Sequence, residues 1–195
     1  AQPLGGPDYP IILNKEDAYE MALSGTEVYY AIRTTAGNWT WVSTGANVTV
    51  GQWNLVTITY DGSEVKTYVN SALSHTRTGH TGNLVNQSST FQIGSREWVN
   101  PPRFFNGDID DVRIYDRALT ATEVANLYEA TGGNPLSAGL VGHWKLDETS
   151  GTTAADNSSS SNDGTMNGGL DAGNDSVSGR IDTSLNFDGT DDYID

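Results

Sequence analysis

Short runs of β-branched and aromatic residues, separated by Gly, Asn, Asp and Ser, follow one another along most of the chain. Runs of this length between turn residues are typical of β-strands and are too short for most helices. In the run 55–60 the side chains alternate, so one set can face a core while the other faces water or a second layer. The predicted strands cover residues 11–14, 19–23, 27–34, 39–43, 47–50, 55–60, 65–69, 91–93 and 109–115.

One helix is predicted near residues 120–130. Thr120 can cap its first turn, and Glu123 stands three residues later, as in a capping box. Val124 and Leu127 fall on one side, and the glycines at 132–133 end the pattern. Many turn-separated strands with a single helix indicate an all-β antiparallel sandwich rather than a parallel α/β sheet.

Composition excludes several classes of function. The 195 residues include 25 acidic and 10 basic side chains, for a net charge of -15. Such a chain repels phosphate backbones, so no nucleic-acid partner is expected, whereas divalent cations and neutral ligands are compatible with the charge. The sequence has no apolar run long enough to insert into a membrane. The absence of cysteine excludes disulfides, thiolate zinc sites and a cysteine nucleophile.

Residues 131–137 are predicted to be a linker, because composition changes across them. From residue 137 onwards there are 11 acidic and 2 basic residues, against 14 and 8 in the first 136. Apolar residues at 140–146 and 185–194 bracket a polar middle section, which indicates two further strands rather than a disordered tail.

Two stretches of the front part share residues with a known family. They are Trp53, Val56, Tyr60-Asp61-Gly62, Lys66 and Tyr68-Val69-Asn70, and then FNGDIDDVRIY at 105–115 with Ala118, Leu119, Glu123 and Val124. These stretches resemble a hairpin and the closing strand and helix of the concanavalin A-like lectin/glucanase superfamily, in its laminin-G-like and pentraxin-like jelly-roll branch. The resemblance implies a two-sheet antiparallel jelly-roll sandwich.

The C-terminal piece resembles the beginning of the same family pattern. The matching stretches are GHWKLDE at 142–148, Gly151-Thr152, Asp156, NDGT at 162–165 and LNFDGTDDYI at 185–194. The order along the chain is therefore the end of one repeat, a linker and the start of the next. An aromatic strand that the family places between these halves is missing from both ends.

Two arrangements are compatible with this order. Residues 138–195 can fold back and complete residues 1–130, so that 1–195 is one jelly-roll domain and a circular permutant. Alternatively, the chain is a fragment cut out of phase from tandem repeats and completed by domain swapping. The short linker holds the second piece at roughly millimolar effective concentration, which favours intramolecular completion and a monomer.

Calcium is the cofactor that the resemblance implies. Asp110 matches an aspartate that helps to bind a structural calcium in related jelly rolls, and Asp147, Asp188 and Asp191 are the predicted companions. Oxygen-rich Asp and Asn loops suit a hard cation. Clustered Asp and Gly also form turns without any metal, and this alternative stays open.

Carbohydrate is the predicted ligand. Aromatic rings stack on apolar sugar faces in sites of this kind. Trp39 and Trp41 alternate on one predicted strand, and Trp98 lies in a polar loop. Asp8 and Glu97 occupy positions that resemble part of the pentraxin ligand site.

The predicted function is a non-catalytic, calcium-associated module that binds a carbohydrate or glycan, in a secreted or surface-exposed bacterial multidomain protein. A structural or adhesive spacer repeat without a small ligand is the first alternative, and a glycan hydrolase or lyase is the second. No E-x-D-x-x-E triplet of the kind found in the superfamily's glucanases is present, so no catalytic residue is predicted.

Overall fold

The computed structural model describes residues 9–96, 99, 101–130 and 136–195. The first twelve strands are β1 (Ile11–Lys15), β2 (Tyr19–Ser24), β3 (Glu27–Thr34), β4 (Gly37–Asn47), β5 (Val56–Tyr60), β6 (Glu64–Val69), β7 (Ala72–Thr78), β8 (Phe91–Ile93), β9 (Ser95–Arg96), β10 (Arg103–Phe104), β11 (Asn106–Ile109) and β12 (Val112–Tyr115). Helix α1 (Ala121–Glu129) follows. The remaining elements are β13 (Leu140–Trp144), β14 (Thr153–Ala154), β15 (Gly164–Asn167), α2 (Ala172–Asp175), β16 (Ser176–Ser178), β17 (Thr183–Asp188) and β18 (Tyr193–Ile194).

The largest sheet has the strand order β14-β15-β18-β8-β1-β2-β3-β4, and its pairs are antiparallel. Its register aligns apolar side chains in one row across the strands. The row consists of Ile194, Ile93, Leu13, Met21, Tyr30 and Val42. Because directly opposed residues share a face of the sheet, this row defines the face that covers the core.

Shorter sheets pack on that face. Val65 of β6 lies in one buried cluster with Tyr30 and Val42. Val112 of β12 lies in another buried cluster with Ile93 of β8. The structure therefore confirms the predicted all-β sandwich of two layers.

Strands from the two ends of the chain pair with one another. β18 pairs with β8, β17 with β11, and β13 with β12, all antiparallel. The largest buried cluster likewise combines Ile93, Ile109 and Val112 from the front part with Leu185 and Phe187 from the back part. The acidic C-terminal piece thus contributes strands to both layers.

The predicted helix is present with its capping box. The Thr120 hydroxyl accepts from the Glu123 N–H, and the Glu123 carboxylate accepts from the Thr120 N–H. The predicted strand 109–115 is instead broken at Asp111, where a φ of 57° interrupts β11 and β12. The stretches predicted at 39–43 and 47–50 differ as well, because β4 runs without a break from Gly37 to Asn47.

Most of the predicted linker, residues 131–135, lies outside the described residues. Within the described ranges, neither α1 nor α2 is long and apolar enough to cross a membrane.

Candidate functional site

A second row of side chains crosses the outer face of the large sheet. Cross-strand register aligns Gln92, Asn14, Glu20, Ala31 and Trp41, on strands β8, β1, β2, β3 and β4. Gln92, Asn14 and Glu20 are almost wholly buried despite their polarity. This row, which we call the polar row, faces away from the core, because its members alternate with the apolar row along each strand.

Glu20 is the electrostatic centre of the polar row. Its side chain is fully buried, and its Oε2 lies 3.3 Å from Nη1 of Arg96. Arg96 also binds Glu16 through two bonds, of 2.8 and 2.6 Å, so its charge is shared between two carboxyl groups. Burial raises the pKa of Glu20 to about 8, and Arg96 lowers it only in part. Glu20 is consequently largely protonated at neutral pH and can both donate and accept a hydrogen bond.

Other buried groups in this region, one in the polar row and one beside it, lack a hydrogen-bond partner within the described part of the chain. Both polar atoms of the Asn14 amide are buried there without a hydrogen-bond partner, as is the hydroxyl of Ser95 in β9. Buried polar groups of this kind normally bind water or a ligand. Arg103 of β10 approaches the same region, with its guanidinium 6.0 Å from the ring of Tyr9.

Trp39 and Trp41 stand at the edge of the polar row. Their rings meet edge to face, with centroids 6.1 Å apart and planes at 87°. The Arg96 guanidinium lies 5.8 Å from the centroid of Trp39 and covers one side of that ring. Both tryptophans are half-buried, so each keeps part of its surface exposed to solvent. The predicted aromatic pair thus lies beside buried hydrogen-bonding groups.

Three other predicted ligand residues, Asp8, Glu97 and Trp98, lie outside the described residues.

Two of the predicted metal ligands, Asp110 and Asp147, line one small recess. Asp182 also contributes to it, and its volume is about 20 Å³, enough for one water-sized particle. Oδ2 of Asp110 accepts from the N–H groups of Arg180 and Ile181. Burial raises the pKa of Asp110 to about 6, and it also raises the pKa of Asp147. Positive charge in the recess would stabilise both carboxylates in their ionised form.

The other two predicted metal ligands lie elsewhere. Asp188 pairs with Asn106 at one end of β11, whereas Asp110 directly follows the other end. About 10 Å of strand separates the two ends, at about 3.3 Å per residue. Asp188 and Asp191 instead form a group with Asp192, with carboxylate oxygens within 4.8 Å of one another. The four predicted ligands therefore do not meet in a single site.

A buried histidine borders the recess of Asp110. Nε2 of His143 lies 2.7 Å from Oδ1 of Asp111, and Oδ2 of Asp111 lies 2.9 Å from Nη2 of Arg113. The carboxylate of Asp111 therefore contacts side chains of both β12 and β13. These contacts are made by the residue at the break between β11 and β12.

The sequence analysis did not identify Glu20, Asn14, Ser95 or Arg96 as site residues. Glu20 lies in the stretch Tyr19-Glu20-Met21-Ala22. In such a strand pattern, a single polar residue is normally predicted to face solvent. Its burial depends on the β9 and β10 segments far along the chain. The register of β1 and β2 places Asn14 opposite Glu20, and Arg96 of β9 reaches Glu20 through its side chain.

The sequence matches one family model. Residues 3–125 match a laminin G-like model described as concanavalin A-like lectin/glucanases superfamily. No curated protein sequence matches the chain.

One solved structure has a similar fold at low sequence identity, and two others match with TM-scores below 0.5. A protein of Bacteroides ovatus, described as a candidate carbohydrate-binding protein, is 21% identical with a TM-score of 0.65, covering 83% of this chain and 48% of that one. An S-layer domain-containing protein of Clostridium thermocellum is 20% identical with a TM-score of 0.33, covering 65% of each chain. The binding domain of Paraclostridial Mosquitocidal Protein 1 is 16% identical with a TM-score of 0.36, covering 64% of this chain and 34% of that one. The chain thus spans less than two thirds of the length of each.

Proposed function

The chain belongs to the concanavalin A-like lectin/glucanases superfamily, and we propose that it is a non-catalytic module that binds an uncharged glycan at the edge of the polar row. The observation that carries this proposal is the Trp39–Trp41 pair, held beside Arg96 and the buried Glu20. Half-exposed rings supply an apolar surface for a sugar ring, and polar groups nearby can take its hydroxyls. The Bacteroides ovatus relative, described as a candidate carbohydrate-binding protein, supports the same class of ligand.

An uncharged glycan is favoured over an acidic one. The net charge of -15 repels polyanions over the whole surface. Arg96 is already bound to Glu16 by two hydrogen bonds, so it is a poor partner for a sugar carboxylate. An uncharged glycan needs no ion pair with Arg96 and is not repelled by the negative charge of the chain.

The same geometry argues against hydrolysis at this site. Retaining glycosidases need two carboxyl groups about 5 Å apart on either side of the scissile bond. Here Glu16 is held by Arg96, and the Glu20 side chain has no exposed surface with which to reach a substrate. A reducing-sugar assay over a polysaccharide panel is expected to stay at the blank level, and release above the blank would support the hydrolase or lyase alternative.

Trp41→Ala is expected to weaken glycan binding at least about tenfold, because it removes the ring that stands in line with the polar row. A glycan array followed by calorimetry with the best neutral oligosaccharide measures the loss. Tyr128→Ala is the matched control, because Tyr128 is an exposed aromatic residue on α1. Equal binding by both variants would contradict the site, and absence of binding by the wild-type chain across the array would favour the spacer alternative.

We further propose a structural calcium in the recess of Asp110 and Asp147. The recess has room for one ion, since four carboxyl groups border a space of about 20 Å³, although Arg113, His143 and Lys145 also line it. Bound there, the ion would supply positive charge that joins the segment before β12 to the segment after β13. The group of Asp188, Asp191 and Asp192 is the second place to test.

Calcium is expected to stabilise the folded chain by mass action and so to raise its melting temperature. At a calcium concentration one hundred times Kd, the free energy of unfolding should rise by about 2.7 kcal/mol. Asp147→Asn should remove most of the rise, whereas Asp188→Asn should leave it unchanged. Differential scanning calorimetry with calcium and with chelator measures both. Loss of the rise in Asp188→Asn, with Asp147→Asn unchanged, would indicate that the ion binds at the Asp188 group. Equal responses in the wild type and both variants would exclude both proposed calcium sites.

We also propose that residues 1–195 form one domain, a circular permutant completed within one chain, that it is monomeric, and that it belongs to a secreted or surface-exposed bacterial protein. Pairing of β17 with β11 and of β18 with β8 supports the first part. Calcium and glycan, the proposed ligands, are both abundant outside cells.

A further inference from the structure

Three aromatic rings meet between β3 and β7, in a part of the molecule that neither proposed site uses. The ring centroids of His75 and His80 each lie 6.5 Å from the ring centroid of Tyr30. Tyr30 is in the middle of β3, His75 is on β7, and His80 follows two residues after the end of β7. Two of the three histidines of the chain are therefore neighbours of one phenol ring.

The register of the second layer turns His75 towards the core. Val65 of β6 packs in the buried cluster of Tyr30. Thr67 lies two residues further along β6, and alternate side chains of a strand lie on the same side of it. Thr67 is paired with His75 of β7, and directly opposed residues share a face. Thr67 and His75 therefore face the same space as Tyr30.

Four polar atoms of these residues are buried and have no hydrogen-bond partner in the described part of the chain. They are the hydroxyl oxygens of Tyr30 and Thr67, Nδ1 of His75 and Nε2 of His80. Tyr30 and Thr67 are both 0% exposed, whereas His75 and His80 are only half-buried. Buried polar atoms are normally paired, so this group needs a bound species that pairs with it. The half-buried imidazoles give such a species a path from solvent.

The chemistry of the four atoms favours a metal ion that prefers nitrogen ligands. Burial lowers the pKa of His80, and Arg77 lowers it further, so this imidazole is neutral at neutral pH and has a free lone pair. Imidazole suits zinc, nickel and copper, whereas calcium takes oxygen ligands. The net charge of -15 attracts a cation, and Arg77 is exposed, so solvent screens its opposing charge.

We propose that His75, His80 and Tyr30, here called the imidazole site, bind one late first-row divalent metal ion such as zinc. Three protein ligands and a water in the fourth position form a common zinc geometry. The hydroxyl of Thr67 is placed beside His75 to bind that water. The ion would join β3 of the large sheet to β7 of the second layer. This inference is independent of the proposed glycan and calcium sites, which use other residues.

The test is calorimetric titration of the chelator-treated chain with zinc chloride, in excess calcium so that sites with oxygen ligands alone are already occupied. We expect one zinc ion per chain, with a Kd of about 10 μM or below. NMR of the imidazole signals locates the ion. Those of His75 and His80 should shift together and saturate, whereas that of His143, which contacts Asp111, should stay in place.

Four variants separate metal binding from packing. His75→Ala and His80→Ala should each weaken zinc binding at least about tenfold, as loss of a ligand does. Tyr30→Phe keeps the ring in the core and removes only the hydroxyl, and it should weaken zinc binding about tenfold. Arg77→Ala is the matched control, because it removes a nearby positive charge and should bind zinc at least as tightly as the wild type. Melting curves without metal check that each variant is folded.

Three results would overturn the proposal. The first is zinc binding that is unchanged in His75→Ala, His80→Ala and Tyr30→Phe, which would place the ion elsewhere. The second is the absence of both zinc binding and imidazole shifts in the wild type, which would mean that the buried atoms pair with water alone. The third is a shift of the His75 and His80 signals by inorganic phosphate and not by zinc, abolished in Arg77→Ala, which would indicate an anion site.

Discussion

Phe187→Ala is expected to lower the free energy of unfolding by about 3–5 kcal/mol, in the range for a large aromatic residue removed from a packed core. Phe187 is 1% exposed and belongs to the largest buried cluster. Its ring lies so close to Gly94 that a Cβ at Gly94 would fall 2.6 Å from two ring atoms. The side chain of a C-terminal strand thus packs directly on the backbone beside β8. Chemical denaturation measures the loss.

The destabilisation caused by Phe187→Ala should extend to the front part of the chain. Because Phe187 and Ile93 share one cluster, amides in β2 and β3 should lose protection from exchange together with those in β17. Val177→Ala is the control, since Val177 is 37% exposed and should cost less than about 0.5 kcal/mol. A variant in which β17 alone lost protection, with β2 and β3 unchanged, would show that the two parts fold independently.

Glu20→Gln is expected to reduce strongly the pH dependence of stability that the wild-type chain shows between about pH 4.5 and pH 8. The folded-state pKa of about 8 lies above the ordinary value of 4.5, because burial disfavours the carboxylate. A raised folded pKa contributes stability that is fully present below the unfolded pKa and is lost as pH rises through the folded one. The shift corresponds to on the order of 3–5 kcal/mol.

The groups that face Glu20 set the size of this effect. Arg96 and Arg103 lower its pKa and Glu16 raises it, and none of these offsets the burial. Thermal unfolding from pH 5 to pH 9 should show stability falling in the wild type and remaining flatter in Glu20→Gln. Glu129→Gln, at an exposed position on α1, should follow the wild type. Parallel curves for all three proteins would mean that Glu20 ionises in the folded state without cost.

Local features of this fold can be predicted from the sequence. The capping box of Thr120 and Glu123 and the strand 27–34 depend on neighbours within a few residues, and both are present as predicted. The break at Asp111 was not predicted. Its φ of 57° accompanies contacts to His143 and Arg113 that form only in the folded chain. β7 was missed because its side chains are mostly exposed and carry no apolar alternation.

Predictions about sites depend on longer-range register. Trp39 and Trp41 were identified because their spacing puts both on one side of a strand. Glu20 is paired with a positive charge only because Arg96, 76 positions later in the sequence, contacts it in the folded chain. The four predicted metal ligands were expected to converge, but the antiparallel pairing of β11 with β17 places Asp110 and Asp188 at opposite ends of the pair. Sequence spacing alone does not determine which ends of two strands meet.

The glycan site beside the polar row is tested most directly by an NMR titration with the neutral oligosaccharide that binds best on the array. The indole N–H signals of Trp39 and Trp41 and the Nε–H signal of Arg96 are expected to shift together and to saturate with one Kd. Signals of the buried Trp144 should stay in place. Saturable shifts at residues elsewhere, with Trp39, Trp41 and Arg96 unmoved, would contradict the account.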